Sequence, residues 1–336
     1  EGYVGNENGD LLNDFNGTLY ATIYDKAIEL KTLSNDPSSF ERKFKLQTNI
    51  LFKGKVTVEN GEFSLQFVMP KDINYQYGNG KISFYAADTS RLVDAGGFFT
   101  DIIIGGTDPD APVDEIGPLV EVFMNDTLFR DGGITGRNPV LLARISDDNG
   151  INITGNNIGH DLLGILDGNT QQAFVLNDFF ISEKDDYTKG AVRFPLTNLE
   201  EGDHFIEVRA WDIANNLGVG TLNFTVIDGS KGVIRSLSAF PNPFLDETTI
   251  TFEHNLERGQ LEMVLEIFDL NGRKVTEIEA QADTESYRNN SLTWNATNRS
   301  GASVGTGMYL YRVMIKYTGG NGSQKIINSD TEKLLF

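Results

Sequence analysis

Short runs in which apolar and polar residues alternate recur along this 336-residue chain, the period-2 pattern of half-buried strands. The clearest pair is Val56-Thr57-Val58-Glu59 and the run 62–67, separated by Asn60-Gly61. A two-residue turn there predicts a hairpin with Val58 opposite Phe63 and Val56 opposite Leu65, both pairs on one apolar face, ended by Pro70. Further strands are expected over 15–24, 81–86, 98–99, 102–104, 119–123, 140–145, 205–211 and 221–226. No long amphipathic helix is expected, and one short helix or turn is placed around 159–166.

Turn-forming segments divide these strands. The run 105–112, Gly-Gly-Thr-Asp-Pro-Asp-Ala-Pro, is rich in turn formers and poor in core residues, and Asp228-Gly229-Ser230 marks a second break. The reading is all-β, with three consecutive immunoglobulin-like β-sandwich domains: 1–106, 113–228 and 232–336.

Composition narrows the chemistry. The absence of cysteine excludes disulfides, thiolate metal sites and a cysteine nucleophile within these residues. Glu1 is followed by no basic and apolar leader, so no signal peptide is expected and the chain reads as a mature segment of something longer; no transmembrane segment is expected either. The net charge of −20 sits mostly in the middle: 10 basic against 14 acidic residues over 1–106, 7 against 21 over 107–230, and 11 against 13 over 231–336. Nucleic acid is excluded as a partner, since phosphate binding needs clustered cations. Asp108, Asp110, Asp114 and Glu115, or Asp147-Asp148-Asn149, are the places where calcium is weighed, but the EF-hand order of ligands is absent. A solvated linker is the preferred reading, and no cofactor is expected. His160, His204 and His254 fall in separate segments without a ligand pattern; His160 is expected to bond locally to Asp161.

The last hundred residues carry the strongest motif. Pro241-Asn242-Pro243-Phe244 leads rigidly into the strand-like Thr249-Ile250-Thr251-Phe252. Asp269-Leu270-Asn271-Gly272 suits a type I turn, with an Asn-Gly hairpin as the alternative. Trp294 is expected as a large core anchor, and Gly301, Gly305 and Gly307 break the chain before a closing strand from Tyr309. This order resembles the C-terminal sorting domain of type IX secretion cargo, and more distantly the immunoglobulin-like part of the flagellar hook-capping protein. On that resemblance Pro241, Asn242, Pro243, Phe244, Asp269, Gly272, Trp294, Gly301, Gly307 and Tyr309 form the sorting-domain motif. Ala296 stands where many such domains have Gly, and the tail 325–336 is longer and more polar than usual.

Upstream, Phe52-Lys53-Gly54, Val68-Met69-Pro70-Lys71-Asp72-Ile73, Asp147-Asp148-Asn149-Gly150-Ile151-Asn152, Ile158-Gly159-His160-Asp161 and Trp211-Asp212-Ile213-Ala214-Asn215-Asn216 widen the resemblance. Together they are similar to the region after the peptidase domain of the type IX secretion sortase, within the gingipain-like cysteine peptidases. The resemblance implies a non-catalytic region that supports an upstream peptidase domain of the same polypeptide. It also implies docking to an outer-membrane β-barrel protein of the secretion system, at the cell surface of a Gram-negative bacterium. The rival expectations are a surface adhesin or carbohydrate-binding tail of another type IX secreted protein, the tail of a cargo hydrolase, and a flagellar scaffold.

Overall fold

A computed structural model describes residues 1–111, 113–155, 159–228, 232–257, 259–284 and 287–336. Pro112, Ile158 and Gly229-Ser230, named in the linkers and motifs above, lie outside the described residues. The fold is all-β and of the immunoglobulin-like sandwich class, with two single-turn 3-10 helices, Thr170–Gln172 and Asn177–Phe179, among the described residues. The strand Leu163–Leu166 stands where the sequence predicts a short helix or turn; it is paired with Gly202–Asp212, so its backbone bonds run to a sheet.

The chain packs into two compact units: 1–122 with 143–193 and 206–221, and 123–142 with 194–205 and 222–336. In the first unit, Ile50–Val58, Gly17–Tyr24, Lys81–Asp88 and Val93–Phe99 form a four-stranded antiparallel sheet in that order. Alternation sends Leu19, Ala21, Val56 and Ala86 inward, where they pack with Val4, Phe15 and Val58. The strands of 119–226 build two further sheets. One has the order Leu119–Met124, Val140–Ser146, Asp186–Pro195, Phe180–Glu183; in the other, Leu217–Val226 and Gly202–Asp212 are neighbours.

The Asn60-Gly61 turn forms, but its ladder does not propagate. Asn60 and Gly61 have φ of 53° and 80°, as a type I′ turn requires, and Glu59 and Glu62 exchange both backbone bonds at 3.0 Å. Beyond that rung Val58 pairs with Gly17 and Phe63 with Gly2, instead of with each other. Lys55 makes a parallel bridge to Lys184, and the Thr57 amide donates to Asp185 Oδ1 at 2.7 Å. That edge of Ile50–Val58 is therefore already occupied. The released segment folds back, so that Leu65, Phe67 and Met69 pack around Ile23, Leu51 and Ile104, with Phe67 stacked on Phe52 at 5.1 Å.

In the second unit, Ile234–Phe240, Thr248–His254 and Arg288–Trp294 make a three-stranded sheet. A second sheet runs Lys274–Asp283, Gly259–Phe268, Met308–Gly319, Gln324–Asn328, and Glu332–Leu335 also pairs with Met308–Gly319. The long polar tail is thus spent on two edge strands along one partner. Leu261, Met263, Leu265 and Ile267 face Ile250, Phe252, Leu292 and Trp294 in one core that also takes in Val313 and Ile315.

Candidate functional site

Most of the motif residues near the C-terminus converge at one end of the second unit. The Phe240-Pro241 and Asn242-Pro243 peptide bonds are cis. Asn242 locks this bend to the last strand: its Nδ2 donates to the Lys333 carbonyl at 3.1 Å and its Oδ1 accepts the Leu335 amide at 2.9 Å. The Phe244 amide donates to the Leu335 carbonyl, and its buried ring lies 5.6 Å from Trp294 and 5.1 Å from Phe336. Trp294 is 1% exposed, donates from Nε1 to the Thr297 carbonyl at 2.9 Å, and meets the Tyr309 ring edge-on at 5.2 Å. Gly307 and Phe336 exchange both backbone bonds, at 2.7 and 2.9 Å. Pro241, Asn242, Pro243, Phe244, Trp294, Gly307 and Tyr309 therefore close one aromatic-lined corner around the chain terminus.

Asp269, Gly272 and Gly301 do other work. Asp269 Oδ1 accepts the amides of Asn271 and Arg273, both at 2.9 Å, and the Gly272 amide returns to the Asp269 carbonyl at 3.0 Å. This is the type I option, with Gly272 at φ +78° and Asn271 outside the positive-φ residues. Gly301, at φ +80°, closes a turn on the Asn298 carbonyl. Ala296 has φ +55°. The left-handed backbone explains the usual glycine at that place, since a Cβ there is disfavoured by about 1–2 kcal/mol.

Two polar clusters in the first unit were not legible as clusters. Asp72, 3% exposed, accepts from Asn152 Nδ2 at 2.9 Å and Asn215 Nδ2 at 2.7 Å, and lies 2.7 Å from His160 Nδ1. The His160 ring packs on Trp211 at 4.5 Å. The expected partner of His160, Asp161, gives way to a carboxylate 88 residues distant, because the buried Asp72 needs donors and Asn152 and Asn215 alone do not surround it. His204 Nε2 contacts the Glu200 carbonyl at 2.9 Å, and His254 Nδ1 accepts the Leu256 amide at 3.3 Å.

The second cluster is acidic. Asp114, Asp147 and Asp212 bring one carboxylate oxygen each within 4.8 Å of one another. Asp108 and Asp148 are not in it, whereas Asp212, from the turn before Asn216, is. Asn149 Nδ2 donates to Asp114 at 2.8 Å and Asn216 Nδ2 to Asp212 at 2.7 Å, which satisfies part of the negative charge. Burial, with the charges of Asp212 and Asp114, raises the Asp147 pKa, against the pull of its bond from the Asn149 amide. The amide of Ile116 and the side chain of Asn149 lower that of Asp114. A raised folded pKa means that the Asp147 contribution to stability is fully present below the ordinary carboxylate range and is lost as pH rises through the folded value. The Asp114 contribution runs oppositely and is lost as pH falls through its lowered value. Asp147→Asn keeps the Oδ1 that accepts the Asn149 and Gly150 amides at 2.9 and 3.2 Å, and removes one of three crowded charges. In chelator at neutral pH it is expected to raise the melting temperature by about 2–4 °C, the shift that about 1 kcal/mol gives a domain of 150–250 residues. That gain should shrink as the pH of the melts is lowered toward 4. An unchanged melting temperature at every pH would mean that the three charges are screened from one another.

Residues 238–329 match the family described as the secretion system C-terminal sorting domain. The chain carries a type IX sorting domain. The aromatic corner, the Asp269 turn and Ala296 all lie within or beside this sorting domain. Among solved structures, dimeric latent PorU from Porphyromonas gingivalis is 31% identical over 99% of this chain and 31% of that chain, with a TM-score of 0.39. This chain thus spans about a third of PorU. SGBP-B of Bacteroides ovatus, in complex with a mixed-linkage heptasaccharide, is 14% identical over 100% of this chain and 68% of that one, with a TM-score of 0.25. The FN1–FN3 domains of chicken CNTN1 are 10% identical over 95% and 94%, with a TM-score of 0.23. No curated protein matches. A sorting domain belongs to a secreted protein of the cell surface or outer membrane, so the chain has a role connected with type IX secretion. Among the described residues, no helix is long and apolar enough to cross a membrane.

Proposed function

We propose that this chain is the non-catalytic C-terminal region of a cell-surface type IX sortase. Residues 232–336 dock it on an outer-membrane β-barrel protein of the secretion machinery. Residues 1–106 support a peptidase domain that precedes them in the same polypeptide, and residues 113–228 act as an acidic spacer. The observation that carries this reading is the 31% identity to PorU, which runs along 99% of the chain instead of stopping at the sorting domain that many cargo proteins share. The lack of any cysteine supports a non-catalytic role beside a cysteine peptidase domain. The nearly neutral balance of 231–336, 11 basic against 13 acidic residues, favours burial against a partner over repulsion from it.

The test is the native protein recovered from the outer-membrane fraction, read by intact mass and N-terminal sequencing. The expected product is several hundred residues longer, with a Cys–His peptidase domain ahead of Glu1 and residues 232–336 retained. A product without that domain, or one shed without its last hundred residues, overturns the reading and makes the protein an ordinary cargo.

A further inference from the structure

Lys274–Asp283 is an edge strand of the second unit, paired on one side only, with Gly259–Phe268. Sheets usually refuse a further strand by shortening the edge, bulging it, or placing proline or an inward charge in it. None of these devices interrupts 276–283. The ladder there is unbroken, its register shift lying beyond it between Ile267 and Phe268, and it covers roughly 27 Å. The strand holds neither Pro nor Gly, and its inward side chains Ile278, Ala280 and Ala282 are apolar and pack on the core. The other edges of the unit differ: Ile234–Phe240 and Arg288–Trp294 pair irregularly, and Gln324–Asn328 has five residues.

The Thr284 amide donates to the Gly259 carbonyl at 3.1 Å, one rung past the strand, and this sets the parity of the ladder. The N–H and C=O groups of Thr276, Ile278, Ala280 and Ala282 turn toward Gly259–Phe268, and those of Glu277, Glu279, Gln281 and Asp283 turn away from it. Among the described residues, no backbone hydrogen bond reaches the outward groups of Glu277, Glu279 and Gln281. The Val275 carbonyl accepts the Arg299 amide at 3.3 Å, which closes the edge at that end. Glu277, Glu279, Gln281 and Asp283 also have exposed side chains on the solvent face. The cations of that face gather on other acids: Lys274 and Arg299 on Glu277, Arg312 on Glu266 and Lys316 on Glu262. The excess acid therefore lies at Glu279, beside the open backbone.

We propose that this edge takes an added antiparallel strand from another protein, with basic residues on its solvent side and β-branched residues on its inner side. Main-chain bonds to the outward groups supply the attachment, and alternate side chains supply the choice of partner. Lysine or arginine opposite Glu279 forms a favourable cross-strand pair. Valine or isoleucine on the other side covers the half-buried Ile278, Ala280 and Ala282. A second copy of the chain fits less well, because two such edges set side by side bring acid against acid. The inference stands on residues 259–316 and holds whether or not the chain belongs to a sortase.

Amide NMR of the full chain, titrated with a capped heptapeptide of alternating Lys and Val, tests it. The expected result is saturable shifts at about 1 mM peptide, confined to 275–284 and the rungs beside them. Hydrogen exchange should slow at the amides of Glu277, Glu279 and Gln281, whereas those of Ile278 and Ala280 are slow from the outset. N-methylation of the peptide's lysines removes the N–H groups that face the edge and should abolish binding. N-methylation of its valines, whose N–H groups face solvent, should leave it. Glu279→Lys should weaken the lysine peptide severalfold and admit a peptide of alternating Glu and Val that the parent refuses, with thermal melts within about 2 °C of the parent. No binding up to about 10 mM overturns the proposal. So does equal binding of a scrambled peptide of the same Lys and Val content, which is charge adsorption only. Shifts centred on another strand also overturn it.

Discussion

Trp294→Ala is expected to destabilise the second unit by about 3–5 kcal/mol, the range for truncating a buried large aromatic. The indole is 1% exposed, sits between Phe244 and Tyr309, and its Nε1 bonds the Thr297 carbonyl. Truncation leaves a cavity that the Pro241–Phe244 bend and the Gly307–Phe336 backbone pair are poorly placed to fill, because each is tied by its own hydrogen bonds. A loss of this size is a large share of the about 5–15 kcal/mol by which whole domains are stable. Calorimetry of the intact chain should show the transition that melts the core around Trp294 displaced downward by roughly 10 °C or more. The variant retains one tryptophan, Trp211, so fluorescence then reports the first unit separately. An unchanged calorimetric profile would mean that Trp294 is exposed in solution and is itself a contact residue.

Asp72→Ala should be nearly as severe in the first unit. It removes one acceptor that serves Asn152, Asn215 and His160, and Asn152 is 0% exposed. Deleting a buried acceptor leaves its donors unsatisfied, at about 1–3 kcal/mol for each group that water cannot reach, and Asn152 keeps only the Asn215 Oδ1 at 3.2 Å. His160 packs on Trp211, so its release should also change tryptophan emission before global unfolding. Asp72→Asn should be milder, since it keeps one acceptor oxygen while adding donors where donors already crowd. The measurement is urea denaturation followed by Trp211 emission in a Trp294→Phe background. A loss under about 1 kcal/mol for Asp72→Ala would show that water reaches these side chains and that the network does not close the site.

The motif residues divide in how readable they were. Asp269 and Gly272 make the turn their own sequence describes, because an Asp side chain bonds amides two and four residues on and Gly accepts φ +78°. Trp294 is buried as its size suggests. The bend at Pro241–Phe244 is legible as rigid, but its tie to Lys333 and Leu335 is not, since nothing near Asn242 names a strand about 90 residues away. The type of the Asn60-Gly61 turn is likewise written locally, whereas the fate of its ladder is not. Backbone donors and acceptors are alike at every residue, and Asp185 with the Lys184 bridge took the edge that the hairpin would have used.

By itself, then, the sequence determined the elements: alternation set the strands, Gly and Asn set the turns, and volume set the core anchors, all through interactions among near neighbours. Only the tertiary structure decided which distant groups meet. Asp72 with residues 80, 88 and 143 positions away, Asp212 with Asp114 and Asp147, and Lys55, Tyr20, Tyr85 and Gly96 on one rung all depend on strand order and register. Strand order and register are settled by burying one face of every strand at once, a condition that no local segment of the chain contains.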